Sequence, residues 1–239
     1  MSISPPEPSP CRQSRAEHVC VVIPAYNEGG AIAKVVASTL QHVDRVVVVD
    51  DASADDTVRC ALLAGAQVLR HPVNLGQGAA LQTGISHALA TGASHIVMLD
   101  ADGQHDPAQI GRMLAAMRDA GVEAALGSRF KGETIGMPPM RRVVLRLAVA
   151  FTRLTTGLQV TDSHNGFRVF KAAAAARLRI RQNRMAHASE ILEEIAKKRI
   201  SFVEVPVTIR YTDYSRAKGQ SNLNSLNILL DLALHWLRK

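Results

Sequence analysis

Three cysteines in 239 residues, Cys11, Cys20 and Cys60, share neither a metal-ligand spacing nor a pairing pattern. That excludes a cysteine-built metal centre and a disulfide framework, and it points to a reducing, cytoplasmic compartment. No apolar run is long enough to cross a bilayer. The nearest approach, residues 223–239, is broken by Asn224, Asn227, Asp231 and His235. The first ten residues hold Ser and Pro but no basic region and no apolar core, so they read as a disordered tail and not as a signal peptide. Aromatics make up 4% of the chain. In its basic C-terminal part only Tyr211 and Tyr214 sit among cations, which argues against nucleic acid as a partner. A third glycine is missing after Gly76 and Gly78, and the pair does not follow the first strand, so it reads as a turn before a helix and not as a dinucleotide fingerprint.

What the chain does have is a charge that changes sign along its length. Residues 1–140 hold 10 Lys and Arg against 14 Asp and Glu, whereas residues 141–239 hold 18 against 7. An acidic part suits a metal cation, and a basic part suits an anionic partner such as a lipid phosphate or a membrane surface. Short β-branched runs at residues 19–23, 46–49, 67–69, 95–99 and 123–126 alternate with Ala/Leu-rich stretches at 30–41, 54–64, 77–90 and 107–119. This alternation predicts an α/β fold with a mostly parallel central sheet and helices on both faces.

Ligands on such sheets bind at the carboxyl ends of strands, and three of those ends carry chemistry. After Ile23 comes Pro24-Ala25-Tyr26-Asn27-Glu28; after Val49 comes Asp50-Asp51-Ala52-Ser53; the run ending at Leu99 is followed by Asp100-Ala101-Asp102-Gly103-Gln104. Alternating acids at a strand end offer oxygen ligands to a hard divalent cation and the phosphates it carries. Asp50 and Ser53 also read as caps of the helix beginning near Ala54.

These segments, together with Gly127-Ser128-Arg129-Phe130, resemble the family 2 inverting glycosyltransferases, most closely the dolichyl- or polyprenyl-phosphate sugar synthases, over residues 19–224. The resemblance implies a nucleotide-diphospho-sugar transferase (GT-A type) fold and a transfer of hexose from a GDP-mannose- or UDP-glucose-type donor to a polyprenyl phosphate with inversion. It implies that Pro24, Ala25, Tyr26, Glu28, Val49 and Asp51 bind the nucleoside. Asp102 and Gln104 would ligate Mg²⁺ or Mn²⁺, with Asp100 and Ala101 beside the ribose or metal. Arg129 would serve as a forked donor near the phosphates, and Asp162, in Asp162-Ser163-His164-Asn165-Gly166-Phe167-Arg168, would stand near the acceptor. Arg216 and Lys218 match a basic loop that closes over the phosphates. Gln77 stands where relatives often carry Lys.

Blander readings stand beside these. His105 is read either as a site group or as a solvated turn residue, and Glu190 as part of a solvated helix with ion pairs to lysine. Arg142, Arg146 and Arg153 fall within about 40° on a helical wheel, as in a basic amphipathic helix lying on a membrane or a packed helix with a solvated stripe. The expected organisation is a disordered tail at 1–17, a glycosyltransferase domain at 18–222 and an amphipathic helix at 223–239. The expected partners are a nucleotide sugar, a polyprenyl phosphate, a membrane surface on its cytoplasmic face and a membrane protein. The alternatives are the same fold acting on a soluble or glycan acceptor, and a noncatalytic nucleotide-sugar-binding scaffold.

Overall fold

The structure, a computed structural model, describes residues 18–182, 187–211 and Tyr214. Seven strands form one sheet: β1 (Val19–Ala25), β2 (Arg45–Asp50), β3 (Gln67–Arg70), β4 (His95–Met98), β5 (Ala124–Ile135), β6 (Arg168–Lys171) and β7 (Phe202–Arg210). Their spatial order is β3-β2-β1-β4-β6-β5-β7. Every neighbouring pair is parallel except the two made by β6, which runs antiparallel between β4 and β5.

Both faces of this sheet are dry because successive side chains point to opposite sides and both sets are apolar. Val21, Ile23, Val46 and Val48 face a layer containing α1 (Ile32–Leu40) and α4 (Ile110–Asp119). Cys20, Val22, Val47 and Val49 face the layer of α3 (Gln77–Ala90) and α7 (His187–Lys197). On α1 the buried residues are Ile32, Val35, Val36 and Thr39, the spacing of one helical face. Each fully buried aliphatic side chain on these faces contributes about 1.5–3 kcal/mol. Between these helices come α2 (Thr57–Leu63), α5 (Pro139–Thr156) and the short α6 (Ala172–Ala175). The first five strands and four helices lie where the sequence pattern puts them. β5 runs far past residue 126 through an irregularity between Ser128 and Glu133, which hides its later half from a periodicity argument.

The chain builds β1, β2 and β3 outward in one direction and then places β4 on the other side of β1. Such a reversal leaves a crevice above the carboxyl ends of the two strands that flank it. Here those ends are Ala25-Tyr26 and Leu99 to Asp102.

Two predicted helices fare differently. α5 buries Val144, Leu145, Ala148, Val149 and Thr152 and packs on α7, while Met140, Val143, Leu147 and Leu154 stay exposed. Arg142, Arg146 and Arg153 are all exposed, Arg153 also donating from Nε to the Val160 carbonyl at 2.7 Å. The tail at 1–17, Arg216, Lys218 and the helix at 223–239 lie outside the described residues.

Candidate active site

A cavity of about 500 Å³ occupies that crevice, within the size range of small-molecule sites. Pro24, Ala25, Tyr26, Glu28, Asp51, Asp100, Ala101, Asp102, Gln104 and Arg129 all line it, although they come from four separate segments of the sequence.

At one end, Tyr26 is 48% exposed and lines the cavity beside Pro24. Asn27 has φ 52°, and its amide is held by Ser53 Oγ at 2.8 Å while its own side-chain oxygen accepts from the Ala54 amide at 2.8 Å. The Glu28 amide donates to Thr57 Oγ1 at 2.7 Å. Ser53 therefore ties the loop after β1 to the loop after β2 and does not cap α2, and Glu28 Oε2 accepts from the Tyr214 hydroxyl at 2.9 Å.

Asp51 is buried, and most of its carboxylate is already in use. Oδ1 accepts from the Leu75 amide at 2.8 Å and lies 2.8 Å from His71 Nδ1; Oδ2 accepts from the Gly76 amide at 2.6 Å. The acid thus moulds the turn that starts α3, where Gly76 takes φ 96°, a value open to glycine. Val49 is a correction to the sequence reading: it is fully buried in the sheet, packs in the core on the α3 side and does not reach the cavity.

In the centre, Asp100 and Asp102 project from the end of β4. Asp100 Oδ1 accepts from Gln77 Nε2 at 3.1 Å, and Oδ2 lies 3.2 Å from His105 Nε2. Burial raises the Asp100 pKa, but the His105 hydrogen bond and the nearby charges of His105, His187 and Arg168 outweigh it and hold the group below its usual value. Asp102 behaves oppositely: burial first, and then the Asp100 charge, push it up to about 6. His105 is buried against Asp100 with its ring edge on Phe167, so it is neither solvated nor a mere turn residue.

This donor set fits a hard cation shared with a diphosphate. Among the described residues no group of three or more His, Cys, Asp or Glu side chains is arranged to enclose a metal. Mg²⁺-type ions are instead held by one or two carboxylates, with water and substrate phosphate completing the shell. Asp102 supplies such a carboxylate: Oδ1 accepts only from the Gln104 amide at 3.0 Å, and no salt bridge engages it among the described residues. Gln104 lines the cavity beside it.

The far side is basic, and here Asp162 departs from expectation. Its carboxylate is fully buried and away from the cavity, accepting from Arg129 Nε at 2.6 Å, the Arg129 amide at 3.0 Å, Asn165 Nδ2 at 3.3 Å and the His164 amide at 3.3 Å. Three of these four donors converge on Oδ2, and Oδ1 accepts from the His164 amide. Although burial opposes ionisation, Arg129 holds Asp162 well below the usual carboxylate range. Arg129 is itself fixed by the Tyr211 hydroxyl at 3.0 Å and the His164 carbonyl at 2.7 Å. The sequence reading had no role for Arg141, His164, Arg168 and His187, which also line this side. Arg168 lies on β6 and His187 at the start of α7, while His164 lies in the loop before β6. Glu190 is a further correction: it accepts from the Arg181 and Gln182 amides at 2.8–3.0 Å instead of pairing with lysines.

Comparisons with known proteins bear on this arrangement. The profile of Glycosyl transferase family 2 matches residues 20–179. The chain is 33% identical to the uncharacterized protein MJ1222 of Methanocaldococcus jannaschii, over 98% of each chain. It is 31% identical to the UDP-N-acetylglucosamine--dolichyl-phosphate N-acetylglucosaminyltransferase of Methanococcus voltae, over 90% of this chain and 95% of that one. In fold it matches the crystal structure of glucosyl-3-phosphoglycerate synthase from Mycobacterium tuberculosis in complex with Mn²⁺, UDP-glucose and phosphoglyceric acid. That match has a TM-score of 0.66 and 22% identity over 90% of this chain and 79% of that one. The mixed, mostly parallel sheet flanked by helices is the GT-A-like fold.

One set of expected partners is overturned. A polyprenyl phosphate, a membrane surface and a membrane protein do not follow from these motifs, because a chain of the same fold is complexed with phosphoglyceric acid, a small water-soluble acid. Among the described residues no helix is long and apolar enough to cross a membrane.

Proposed function

Because the chain belongs to glycosyl transferase family 2, we propose that it transfers a hexose from a nucleotide diphosphate sugar to a water-soluble acceptor that carries a phosphate. The observation that carries this reading is the polarity of the cavity: an open aromatic and acidic end at Tyr26 and Glu28, two central carboxylates, and a basic far side. The donor is of the UDP-glucose or GDP-mannose type. The synthase of similar fold binds UDP-glucose with Mn²⁺, and its acceptor is a phosphate-bearing acid.

In this reading Pro24, Tyr26 and Glu28 hold the nucleoside, the ring packing on a base and the carboxylate accepting from base or ribose. Asp51 acts through the turn it moulds. Asp102 and Gln104 would hold Mg²⁺ or Mn²⁺ against the diphosphate, with Asp100 and Ala101 beside the ribose. When bound, the cation offsets the charge that grows on the departing nucleotide diphosphate. Arg129, fixed on Asp162, presents its remaining N–H groups to the phosphates without having to reorganise. Attack from the face opposite the leaving group inverts the anomeric centre, and alignment inside the cavity removes much of the remaining barrier. Arg216 and Lys218, which lie outside the described residues, are assigned to the phosphates in this reading.

The test is an incubation with Mn²⁺, UDP-glucose or GDP-mannose, and either phosphoglyceric acid or polyprenyl phosphate in detergent, with products read by mass spectrometry. A glycosylated soluble phosphate is the expected product. Product from polyprenyl phosphate alone would overturn the soluble acceptor, and no product from folded protein with any pair would overturn the enzymatic reading.

A further inference from the structure

Arg168 is the first residue of β6, opposite Met98 of β4, and only 4% of it is exposed. A guanidinium at such a depth is costly unless it is paired with an anion and its donors are used. The donors are used only in part. Nε donates to the Asn165 carbonyl at 3.0 Å, and Nη2 donates to the carbonyls of Ser163 at 3.1 Å and Ala188 at 3.2 Å. All three partners are neutral. No carboxylate is salt-bridged to Arg168 among the described residues, and Nη1 makes no hydrogen bond there, although the residue lines the cavity.

Its nearest acids are spoken for. Both oxygens of Asp100 are engaged by Gln77 and His105, and both oxygens of Asp162 by Arg129, Asn165 and the His164 amide. Burial accordingly pushes the Arg168 guanidinium down to about 10, with Asp162 and Asp100 acting only at a distance. The three carbonyls hold the fork rigid, joining the loop before β6 to the first turn of α7, so the open edge has a fixed direction and little side-chain entropy left to lose.

The geometry points to Arg168 as a fixed contact for the acceptor's phosphate, with Nη1 donating to it from the floor of the cavity. This rests on the proposed transfer to a phosphate-bearing acceptor and names the residue that would recognise that group. A planar fork with two N–H groups left over suits a phosphate oxygen, and the dry surroundings strengthen the bond. The neighbouring His164 is held mainly neutral by burial, which leaves Arg168 as the stronger positive group at that point of the wall.

Inorganic phosphate is the probe, titrated by calorimetry into protein containing saturating UDP and Mn²⁺ so that the donor end is filled. Wild type should bind it, Arg168→Gln should bind at least tenfold more weakly, and Arg168→Lys should fall between, with UDP affinity unchanged in both. Equal phosphate affinity in wild type and Arg168→Gln, or a parallel loss of UDP affinity, would overturn the assignment. Should the variants fail to fold, crystals of the wild type soaked in arsenate decide it: anomalous signal within hydrogen-bond distance of Arg168 Nη1 supports the contact, and signal elsewhere in the cavity or none overturns it. Binding is read without turnover, so an inactive protein that still binds phosphate at Arg168 would sink the transferase reading and not this one.

Discussion

Arg129 Nε stands 2.6 Å from Asp162 Oδ2, and neither residue exposes more than 5% of its surface. Both segments, the bend in β5 and the loop before β6, are therefore pinned to each other by a charge pair that water does not reach. Removing one partner of such a pair leaves a buried, uncompensated charge. Asp162→Asn is expected to cost about 3–5 kcal/mol of unfolding free energy, read from urea titrations. If Asp162 instead faced the acceptor, the same substitution would leave stability nearly unchanged and lower only turnover.

That pair also shows how far the sequence could be read. The alternation of apolar runs exposes β1 to β4 and their helices because both faces of those strands are buried and each run ends in a turn. The same pattern marked the strand ends at the crevice, and the family resemblance named ten of the residues that line it. The role of Asp162 was not legible: a motif places an acid near an acceptor, but only the fold reveals that four donors surround it. Arg168 was hidden for a related reason. Its strand, Arg-Val-Phe-Lys, is four residues long with charged ends, too short for a period-2 signal, and its importance comes from β6 being inserted beside β4. Val49 shows the converse error, a residue inside a recognised motif whose side chain points into the core.

Asp102 is crowded by burial and by Asp100, which raises its pKa to about 6, and a cation relieves both effects. Asp102→Asn should keep the fold while losing the metal-dependent part of nucleotide binding. In a thermal-shift assay with UDP, added Mn²⁺ should raise the wild-type Tm and leave the variant's unchanged, since only ligands bound by the native state stabilise it. Turnover should fall by about 10²-fold or more. An equal Mn²⁺-dependent shift in the variant would remove Asp102 from the metal site.

His164 carries a pH dependence whose sign can be worked out. Burial, followed by the charges of Arg129, Arg168 and His187, outweighs Asp162 and lowers its pKa from 6.5 to about 4. The folded-state value lies below the unfolded one, so the unfolded chain binds the extra proton. Stability is then complete above about pH 6.5 and is lost as pH falls toward 4, by on the order of 3 kcal/mol. The measurement is Tm against pH for wild type and His164→Gln, in which this part of the acid loss should vanish. Asp162 adds to acid lability only lower down, because its depressed pKa keeps it ionised until pH falls below the usual carboxylate range.

Gly166 touches the site through what it lacks. A Cβ there would lie 2.1 Å from Asp100 Oδ2 and 2.5 Å from its Cγ, closer than any real contact, while its backbone has no positive φ that would strain alanine. The clash falls on the end of a side chain and not on backbone, so Gly166→Ala can be accommodated only by turning the Asp100 carboxylate. That movement breaks its bonds to Gln77 and His105 and shifts the negative charge beside Asp102. A modest stability loss of about 1–3 kcal/mol is expected from overpacking. Activity should fall further than that loss explains, because a group displaced by about 1 Å near the reacting centre can cost about 10²-fold in rate. The check is to compare Gly166→Ala with Asp100→Asn in kcat and in urea midpoint. If Gly166→Ala keeps full turnover, the position of Asp100 does not govern the reaction; if it matches Asp100→Asn in kcat while staying folded, the glycine is there to leave room for that carboxylate.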